Sequence, residues 1–457
     1  MKKFVRIACA SLSIILALGA VTGCKKDEGK SDVTTVTMWT GDGGSKAVMT
    51  EMVNEFNNTI GKEEGIKLEY IVKEGNLKEQ IDLALTTEQA PDLFITSGID
   101  KYSINGDIAA IEDMPGGEEF LKRYEGSLIP EKHTYRDKTY CLPFSTNTYG
   151  LIYNKDMFKK AGIVDKKGNA KPPETYDELR KAAKKLTNKS KKEFGIILPL
   201  KWSSWIYQEL SPTTMGSYGR GYYNPLTGKY EFDVMKKPLE TIMGIKKDES
   251  FYPGAENIDN DTARARFAEG GIGMKFAVSW DVGVLNDQFP AKCDWGVAPL
   301  PVEDKDNKYL QLSSQSFGPY INAHSVKSKD AEKIMTVYKW YHSDELLVKL
   351  YQAGAYIPWD YDIIKDVKVE NPKKGWVDFA SLNEISVVEP TAVKTDITGN
   401  PNFSNVFTND IWTEKASIDA SLKKIEKIMN DGIAKYKENN PDYDSSIAIL
   451  DEWMIKR

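Results

Sequence analysis

Aromatic and polar side chains follow two short apolar segments of the chain, and both places could hold a ligand. Trp39 and Asp42 come at the end of the first segment, and Thr96 and Ser97 come at the end of the second. Aromatic rings offer stacking surfaces, whereas carboxylates and hydroxyls make hydrogen bonds. The chain has 10 Trp and 23 Tyr, a surplus that favours a stacking site. Such a set of residues is suited to binding a small molecule.

The motifs of several enzyme classes are absent from the sequence. Three histidines without HExxH or His-x-His spacing argue against a His-ligated zinc enzyme. There is no Gly-x-Ser-x-Gly elbow, P-loop or GxGxxG after a strand. The acidic stretch 303–306 lacks the glycine and spacing of a calcium loop. The sequence therefore predicts no catalytic residues, no cofactor and no metal site.

Composition and charge exclude further classes. The 457 residues carry 61 Lys+Arg against 67 Asp+Glu, a net charge of −6 without a basic block, which argues against nucleic-acid binding. At 41% hydrophobic and 28% charged residues the chain is globular, with length for roughly two to three cores. Cys141 and Cys293 could pair outside the cytoplasm, but we expect two isolated buried thiols.

Strand and helix patterns alternate from residue 35 onward. Segments 35–39, 66–71 and 91–96 have strand patterns, and helices are predicted after Ser45 and over 77–85. This order predicts a mostly parallel, doubly wound sheet, in which ligands bind beyond the carboxyl ends of the strands.

The residues at these strand ends could have structural roles instead of binding a ligand. Trp39 could cap the core of the sheet, and Asp42 could bond only to its own turn. Thr96 and Ser97 could cap the following helix.

A second unit of alternating elements follows. Its predicted strands are 149–154, 194–197 and 272–276, and its predicted helices are 156–161, 175–186, 263–268, 329–341 and 415–436. A turn over 224–228 lies within a predicted hairpin, and the aromatic segment 202–210 has helical spacing.

The first segment of the chain is predicted to direct export of the protein. Residues 1–23 have a basic start and an apolar run, typical of a signal peptide. The sequence Val-Thr-Gly before Cys24 looks like a bacterial lipobox, in which Cys24 carries the lipid; the alternative is an uncleaved anchor. Residues 24–32 form a polar tether. We therefore expect the protein outside the cytoplasm, anchored to the bacterial cell membrane.

Five blocks of the sequence, in order, resemble one known family. They are VTMWTGDGG, LKEQIDLALTTEQAPDLFI, STNTYGLIYNKDMFKKAGI leading into PPETYDELRKAAKKL, ARARFAEGGIGMKFAVSWDVG before DWGVAPLP, and FGPYINAHSVKSKDAEKIMTVYKWYHSDE before YQAGAYIPWD. The resemblance is to the family 1 extracellular solute-binding proteins of carbohydrate ABC importers, the family of the maltose-binding protein. It covers nearly the whole chain and is weakest over 202–251 and after 360.

The resemblance implies an α/β, two-lobed periplasmic-binding-protein-like fold whose lobes are mostly parallel sheets flanked by helices and joined by hinge strands. The first lobe is expected over 33–146 plus 320–357, and the second over 147–318 plus 359–457. A carbohydrate, expected to be an oligosaccharide, would be trapped between the lobes and delivered to the permease subunits of an ABC transporter. We expect a monomer.

The resemblance also implies site residues. Trp280 occupies the family's position for a stacking Trp, and Asp281 follows it, although Asp281 could instead favour the helix dipole. Asn147 matches a polar contact, unless it is an ordinary loop amide. The chain is expected to cross between the lobes three times, near 144–147, 316–320 and 357–360. Tyr356 and Trp359 flank Ile357-Pro358 at the third crossover and could close over the ligand.

A further aromatic cluster lies near the family's substrate-specific region. It consists of Trp202, Trp205 and Tyr207. Residues at this helical spacing are more often core, so we expect one of the three to reach the cleft.

Two other functions are compatible with the sequence. A secreted, lipid-anchored glycoside hydrolase would need two carboxylates about 5–10 Å apart across a sugar, and the chain has many acids. No repeat of eight βα units supports it. A lipoprotein adhesin or sensor would instead expose an apolar patch.

Overall fold

The structure, a computed structural model, describes residues 33–202, 204–397 and 403–453. The predicted signal peptide, the tether and Cys24 lie outside the described residues. Within those ranges, two large sheets are each covered by helices, and no helix is both long and apolar enough to cross a membrane.

The first sheet has five described strands, four of which run in one direction. In spatial order the strands are Ile66–Val72, Thr34–Thr40, Leu93–Phe94, Tyr320–Asn322 and Ile108–Ala109. Tyr320–Asn322 is antiparallel to both of its neighbours. The other neighbouring pairs are parallel, so the predicted strand–helix alternation and parallel sheet are confirmed here.

The second sheet has seven described strands and one reversed strand at its centre. Five strands follow one another as Ser386–Val388, Gln311–Phe317, Pro143–Asn154, Ile272–Val278 and Phe194–Ile196. Trp295–Ala298 and Ile357–Pro358 also pair with Pro143–Asn154. The four neighbours of Pro143–Asn154 are all antiparallel to it.

The central strand is longer than the sequence predicted. The expected strand 149–154 is the second half of Pro143–Asn154. The first half is rich in Ser, Thr and Asn and lacks apolar alternation, so its pattern resembles a loop. Neighbouring strands on both sides bond its backbone, and this pairing compensates for its polar composition.

Helices surround both sheets. The α-helices are Lys46–Asn58, Ile60–Glu64, Leu77–Thr86, Ile99–Asn105, Gly117–Leu121, Lys155–Lys160, Tyr176–Leu186, Pro212–Tyr218, Lys236–Lys247, Asn260–Ala268, Asp281–Gly283, Ala331–Tyr341, Asp344–Gln352, Trp376–Ser381, Phe403–Val406 and Ile418–Asn439. The 3-10 helices are Ile111–Asp113, Lys122–Tyr124, Lys189–Lys191, Phe232–Met235, Ala255–Asn257, Ala323–Lys327, Tyr361–Ile363, Leu382–Ile385 and Ser445–Ala448.

Three π-helices and two small hairpins complete the described elements. The π-helices are Ile206–Leu210, Val284–Gln288 and Phe407–Ile411. One hairpin joins Thr134–Tyr135 to Lys138–Thr139, and the other joins Tyr223–Asn224 to Lys229–Tyr230.

Each sheet buries apolar side chains on both faces. In the first strand, Val36 and Met38 pack into one cluster with helix Ala331–Tyr341. Phe94 and Tyr102 belong to a smaller cluster on the opposite face. The result is two three-layer units, as expected when helices cover both sides of a mostly parallel sheet.

The three predicted crossovers between the sheets lie side by side. Along the reversed strand, Ser145 pairs with Ser316 on one side and with Pro358 on the other. The register shifts between Ser316 and Phe317, which marks a bulge. We refer to these three paired segments, 143–148, 313–317 and 357–358, as the hinge strands.

The two cysteines among the described residues, Cys141 and Cys293, are free thiols. Both thiols are isolated, as predicted, but only Cys141 is buried; Cys293 is half-buried, so the prediction of a buried thiol is wrong there. Burial raises the pKa of Cys293 to about 11 and raises that of Cys141 further, so both stay protonated at neutral pH.

Candidate ligand-binding cleft

The carboxyl ends of two strands in the first sheet meet beside the hinge strands. Trp39 pairs with Phe94, so the loops that follow these strands begin side by side. Tyr320 also pairs with Phe94, and it lies just beyond the hinge-strand residue Phe317. The loop that carries Asp42 is therefore on the edge of the sheet that faces the hinge.

A corresponding edge of the second sheet lies on the other side of the hinge. Ser279, directly after strand Ile272–Val278, donates its backbone N–H to the carbonyl oxygen of Thr148 at 3.0 Å. Trp280 therefore lies at the hinge end of this sheet. Asn147 is the next residue along the reversed strand, so the structure brings these two predicted residues to the same edge.

Asp42 and Tyr356 are brought together although they are distant in the sequence. One Asp42 carboxylate oxygen accepts from the backbone N–H of Gly44 at 2.9 Å and of Ser45 at 3.3 Å. The other accepts from the Ser45 hydroxyl at 3.0 Å and from the Tyr356 hydroxyl. The Asp42 turn bonds predicted as the alternative are thus present, together with a long-range contact.

Two phenols beside Asp42 stay protonated. Burial, with the Asp42 charge as a smaller cause, raises the pKa of Tyr70 to about 12. The same two causes raise the pKa of Tyr356 further. Both phenols therefore remain hydrogen-bond donors at neutral pH. Ser45 lies at the start of helix Lys46–Asn58, as a capping residue would, but no helix N–H donates to its hydroxyl.

The remaining residues of the first edge differ in exposure. Trp39 is half-buried on the smaller apolar cluster, and Lys73 Nζ lies 3.6 Å from its ring centroid. These contacts favour the core-capping interpretation of Trp39. Thr96 is half-buried and Ser97 is exposed. The helix that follows begins after Gly98 and takes no side-chain cap, so neither hydroxyl serves as a cap.

Trp280 and Asp281 have opposite environments. The Trp280 side chain is 39% exposed, whereas Asp281 is 1% exposed. One Asp281 oxygen accepts from Arg264 Nε at 2.7 Å, and the other accepts from the Val278 N–H at 3.3 Å. Both oxygens are thus engaged inside the protein, so the prediction that Asp281 contacts ligand is not supported. Asp281 instead anchors the turn that carries Trp280.

The aromatic cluster divides between core and surface. Trp205 is 0% exposed, and its ring centroid lies 4.8 Å from that of Phe407, so the prediction that Trp205 contacts ligand is not supported. Trp202 is half-buried against the same core. Tyr207 is 36% exposed, with its ring 5.8 Å from that of Tyr222. Tyr207 is therefore the most accessible of these three aromatic residues.

Trp359 and Asn147 both lie on the hinge. Trp359 is half-buried, with its ring centroid 5.5 Å from that of Tyr124, and its indole nitrogen has no hydrogen-bond partner among the described residues. Asn147 is half-buried and pairs with Ser314 on the neighbouring hinge strand. The contact of both side chains with ligand stays a prediction.

A match to a known family covers most of these elements. The family of bacterial extracellular solute-binding proteins matches residues 41–346, which is more than half of the chain. The chain belongs to this family. The resemblance found in the sequence is confirmed.

Two relatives show how solute-binding proteins of this kind vary. A maltotriose-binding protein of Pyrococcus abyssi is 28% identical over 302 residues, covering 65% of this chain and 60% of the relative. The chain thus spans less than two thirds of that relative's length. An sn-glycerol-3-phosphate-binding periplasmic protein of Brucella melitensis is 25% identical over 341 residues, covering 71% and 74%.

Solved structures confirm the two-lobed fold of this solute-binding protein. The apo form of RafE from Streptococcus pneumoniae superposes with a TM-score of 0.67 at 18% identity, covering 89% of this chain and 100% of RafE. At this identity the likeness establishes the fold alone.

Glu389 is a candidate cleft residue that the sequence did not indicate. Burial raises the pKa of its carboxyl to about 7, although the Lys132 charge and a bond from the Gly221 N–H act in the other direction. A Cβ on Gly221 would lie 2.3 Å from a Glu389 oxygen, so glycine permits this approach. Lys132 Nζ also donates to the Glu389 carbonyl oxygen at 2.6 Å. In the sequence, Glu389 precedes a proline in a polar stretch, and no pattern there indicates a functional residue.

Lys394 makes a second contact across the two parts of the solute-binding protein. Its Nζ lies 2.8 Å from an Asp100 oxygen and 3.3 Å from a Glu131 oxygen. Burial opposes its charge, but the two carboxylates outweigh burial and raise the pKa of Lys394. Asp100 lies in the first turn of helix Ile99–Asn105, which follows Thr96 and Ser97, so this ion pair is close in the chain to the first sheet edge.

Beneath the second edge, Lys275 and Glu209 form a buried ion pair. Burial raises the pKa of Glu209 to about 7 despite the Lys275 charge. Lys275 also donates to the carbonyl oxygen of Phe276 at 2.7 Å. Within the described ranges, no group of three or more His, Cys, Asp or Glu side chains is arranged to hold a metal ion.

Proposed function

We propose that this solute-binding protein captures a carbohydrate between its two lobes and delivers it to an ABC permease. One observation carries the proposal: the half-exposed Trp280 ring stands on one sheet edge and the Asp42–Tyr356 cluster on the other, both beside the hinge strands. A ring can stack on the C–H face of a sugar, while carboxylate and phenol groups bond its hydroxyls. The name of the maltotriose-binding relative supports this ligand class.

The lobe boundaries belong to the same proposal. The first lobe would comprise 33–146 plus 320–357, and the second 147–318 plus 359–457. The membership of the two sheets and the three adjacent hinge strands supports this division. A ligand that contacts both edges would favour the closed arrangement by its difference in affinity for the two states.

The charges near the cleft favour a neutral saccharide over a phosphate ester. Lys394 is paired with Asp100 and Glu131, and Lys132 is directed to Glu389. Asp42 adds a further negative charge on the first edge. A phosphate dianion is best bound by arginines or by free cations, and neither Lys394 nor Lys132 is free.

We also propose that the protein does no chemistry on its ligand. The relatives are named as binding proteins, and nothing in the comparisons supports the glycoside hydrolase alternative. A saccharide incubated with the purified protein is expected to be recovered intact. Turnover that is lost when one cleft carboxylate is replaced would instead establish the hydrolase.

Anchoring is the remaining part of the proposal. The family is extracellular, and the lipobox-like sequence before Cys24 supports a lipid anchor at the cell membrane. A single acyl chain binds membranes weakly, whereas two or three hold a protein stably. The anchor would keep the monomeric protein near the permease subunits.

A thermal-shift screen tests the ligand class. The probes are maltotriose, raffinose, arabinotriose and sn-glycerol 3-phosphate, each added to the purified chain. A saccharide at 100 times its Kd should stabilise the fold by about 2.7 kcal/mol, because it binds the folded form alone. A shift with sn-glycerol 3-phosphate and with none of the saccharides would contradict the proposal.

A further inference from the structure

Positive charge is concentrated in one stretch of the chain beside the second sheet. Residues 155–192 carry thirteen Lys and Arg against five Asp and Glu, although the whole chain has a net charge of −6. At most two of these basic residues are adjacent in the sequence, so no basic block is apparent there. The stretch leads into strand Phe194–Ile196, an edge strand of the second sheet.

A hydrogen bond brings the two helices of this stretch together. Lys185 Nζ, at the end of helix Tyr176–Leu186, donates to the carbonyl oxygen of Gly162 at 3.2 Å. Gly162 lies just after helix Lys155–Lys160. The basic residues of both helices are therefore on adjoining parts of the protein.

The loops of this stretch adjoin the same helices. Lys160 pairs with Glu193 at 2.6 Å, and Glu193 closes the turn 188–193. The Lys171 N–H donates to the Ile163 carbonyl oxygen at 3.0 Å and closes the intervening loop. We refer to the surface formed by six exposed lysines of these helices and loops as the basic face: Lys159, Lys171, Lys181, Lys185, Lys191 and Lys192.

The lysines of the basic face have no acidic partners in the protein. Lys160, Arg180 and Lys189 each pair with an acid, whereas the six lysines of the basic face make no ion pair with any described residue. Lys181 and Lys185 stand four residues apart on one helix, a spacing at which like charges repel. The helix dipole favours Lys185 in the last turn but not Lys181. This charge is unfavourable within the isolated protein and favourable beside an external anion.

Three lysines of the basic face converge on one cavity. Lys171, Lys181 and Lys185 line an opening of about 310 Å³, and Glu178 is the one acid among its lining residues. One Glu178 oxygen is engaged by the Glu174 N–H at 2.8 Å. The cavity therefore presents three positive charges and one negative charge to whatever approaches it.

We propose that the basic face binds the anionic phospholipid headgroups of the membrane to which the protein is anchored. The choice of a membrane rests on the anchoring part of the proposed function. The tether 24–32 spans about 30 Å when fully extended, which keeps the folded body close to that membrane. A single lipid chain binds weakly alone, and a basic patch is one of the second signals that make such anchoring stable.

The remaining charge of the protein does not prevent this contact. The Debye length is about 8 Å at physiological ionic strength, so acids on distant parts of the protein are screened from the membrane. The basic face consists of lysines, whose ammonium groups are point charges without the bidentate geometry of arginine. Such groups suit the diffuse charge of a headgroup layer, and the predicted export of the protein favours lipid over nucleic acid.

Vesicle sedimentation tests the basic face without the anchor. The protein is the mature chain from residue 24 with Cys24→Ala, which keeps every described element and carries no lipid. Vesicles of phosphatidylcholine with about 30% phosphatidylglycerol should bind it at about 0.1 M salt, whereas pure phosphatidylcholine vesicles should not. Binding should fall at least about tenfold at about 0.5 M salt, because screening shortens the reach of the charges.

Two triple variants locate the contact. Lys171→Gln, Lys181→Gln and Lys185→Gln together should lower the partition coefficient roughly 100-fold, since each basic residue at an anionic surface contributes about fivefold. The matched control is Lys62→Gln, Lys423→Gln and Lys437→Gln, which removes the same charge from exposed positions outside 155–192. It should bind vesicles within about twofold of the unsubstituted protein.

A further variant keeps the test decisive if the first triple variant does not fold. Lys191→Gln with Lys192→Gln lies in the turn 188–193, outside the helices, and should lower binding about 25-fold.

Each other outcome overturns the proposal. Equal losses in the two triple variants would mean that net charge alone governs binding. Equal binding to both kinds of vesicle, or none to either, would mean that the basic face does not recognise anionic lipid. Inorganic phosphate that binds the protein and displaces vesicles at equal concentration of phosphate would assign the cavity to the free ion. A short DNA duplex that binds more tightly than vesicles would assign the face to nucleic acid.

Failure of the anchor is distinguishable from failure of the basic face. Mass spectrometry of the mature protein from cells reports whether Cys24 carries lipid, and the vesicle assay uses a chain without lipid. An unlipidated Cys24 would remove the anchor and with it the argument for a membrane partner. Loss of vesicle binding alone would leave the anchor and the capture of a carbohydrate intact.

Discussion

Replacing Trp280 by alanine should weaken saccharide binding far more than it weakens the fold. The ring is 39% exposed at the second sheet edge, so a stacked sugar would cover surface that is now open to water. The Asp281–Arg264 pair and the Ser279–Thr148 hydrogen bond hold the turn through atoms other than the indole. The variant should therefore keep its turn and lose its stacking surface.

The expected loss follows from the exposed area. A Trp side chain presents up to about 250 Å², so covering the 39% that is exposed buries about 100 Å². At about 25 cal/mol per Å², this burial is worth about 2.5 kcal/mol. The dissociation constant should rise about 60-fold, since 1.4 kcal/mol corresponds to a factor of ten.

Calorimetric titration and thermal denaturation of the same variant separate the two roles of a tryptophan. Trp205→Ala is the contrasting variant: its ring is 0% exposed, so it should lose about 3–5 kcal/mol of stability without a specific change in affinity. If Trp280→Ala behaves like Trp205→Ala, with a lower melting temperature and unchanged affinity in the folded fraction, then Trp280 is a core residue and the cleft is misplaced.

Three further predictions concern the anchor, a buried ion pair and a titrating carboxyl. Cys24→Ala should move the protein out of the membrane fraction; a mature N-terminus other than Cys24 by mass spectrometry would contradict this. Asp281→Ala should cost about 3–5 kcal/mol in urea unfolding because it leaves Arg264 buried, whereas loss of the exposed partner Asp261 should cost under about 1 kcal/mol. Because the pKa of Glu389 is raised in the folded state, the carboxyl contributes stability below about pH 4.5, and that stability is lost as the pH rises through about 7. Glu389→Gln should therefore gain stability relative to wild type from pH 5 to 8. A difference in stability that stays constant with pH would refute this.

Local patterns in the sequence predicted much of the first lobe. Apolar alternation located the strands and amphipathic spacing located the helices, because each element buries one set of side chains. The end of the first strand also identified Asp42 as a candidate, since topology fixes which edge receives a ligand. The partnership of Asp42 with Tyr356 spans 314 positions and left no local pattern.

The second lobe shows where local patterns carry less information. Asp281 was chosen as a candidate because it follows Trp280, but the sequence does not show that it is buried against Arg264, which lies on another helix. Glu389 and Lys132 face each other only because the chain crosses between lobes three times. Charged residues in the sequence do not reveal which of them become buried, since burial is decided by packing between distant segments.

The shared ladder of the hinge strands restricts how the molecule can deform. Segment 143–148 is hydrogen-bonded to both of the others, so neither can slide along it without breaking backbone bonds. Bending and twisting of the ladder preserve those bonds, and the bulge between Ser316 and Phe317 supplies a local point of compliance. Relative motion of the lobes is thereby restricted to bending and twisting about the ladder. A pair of fluorophores placed one on each lobe, far from the ligand, would report this motion, which makes the scaffold suited to a ratiometric sensor.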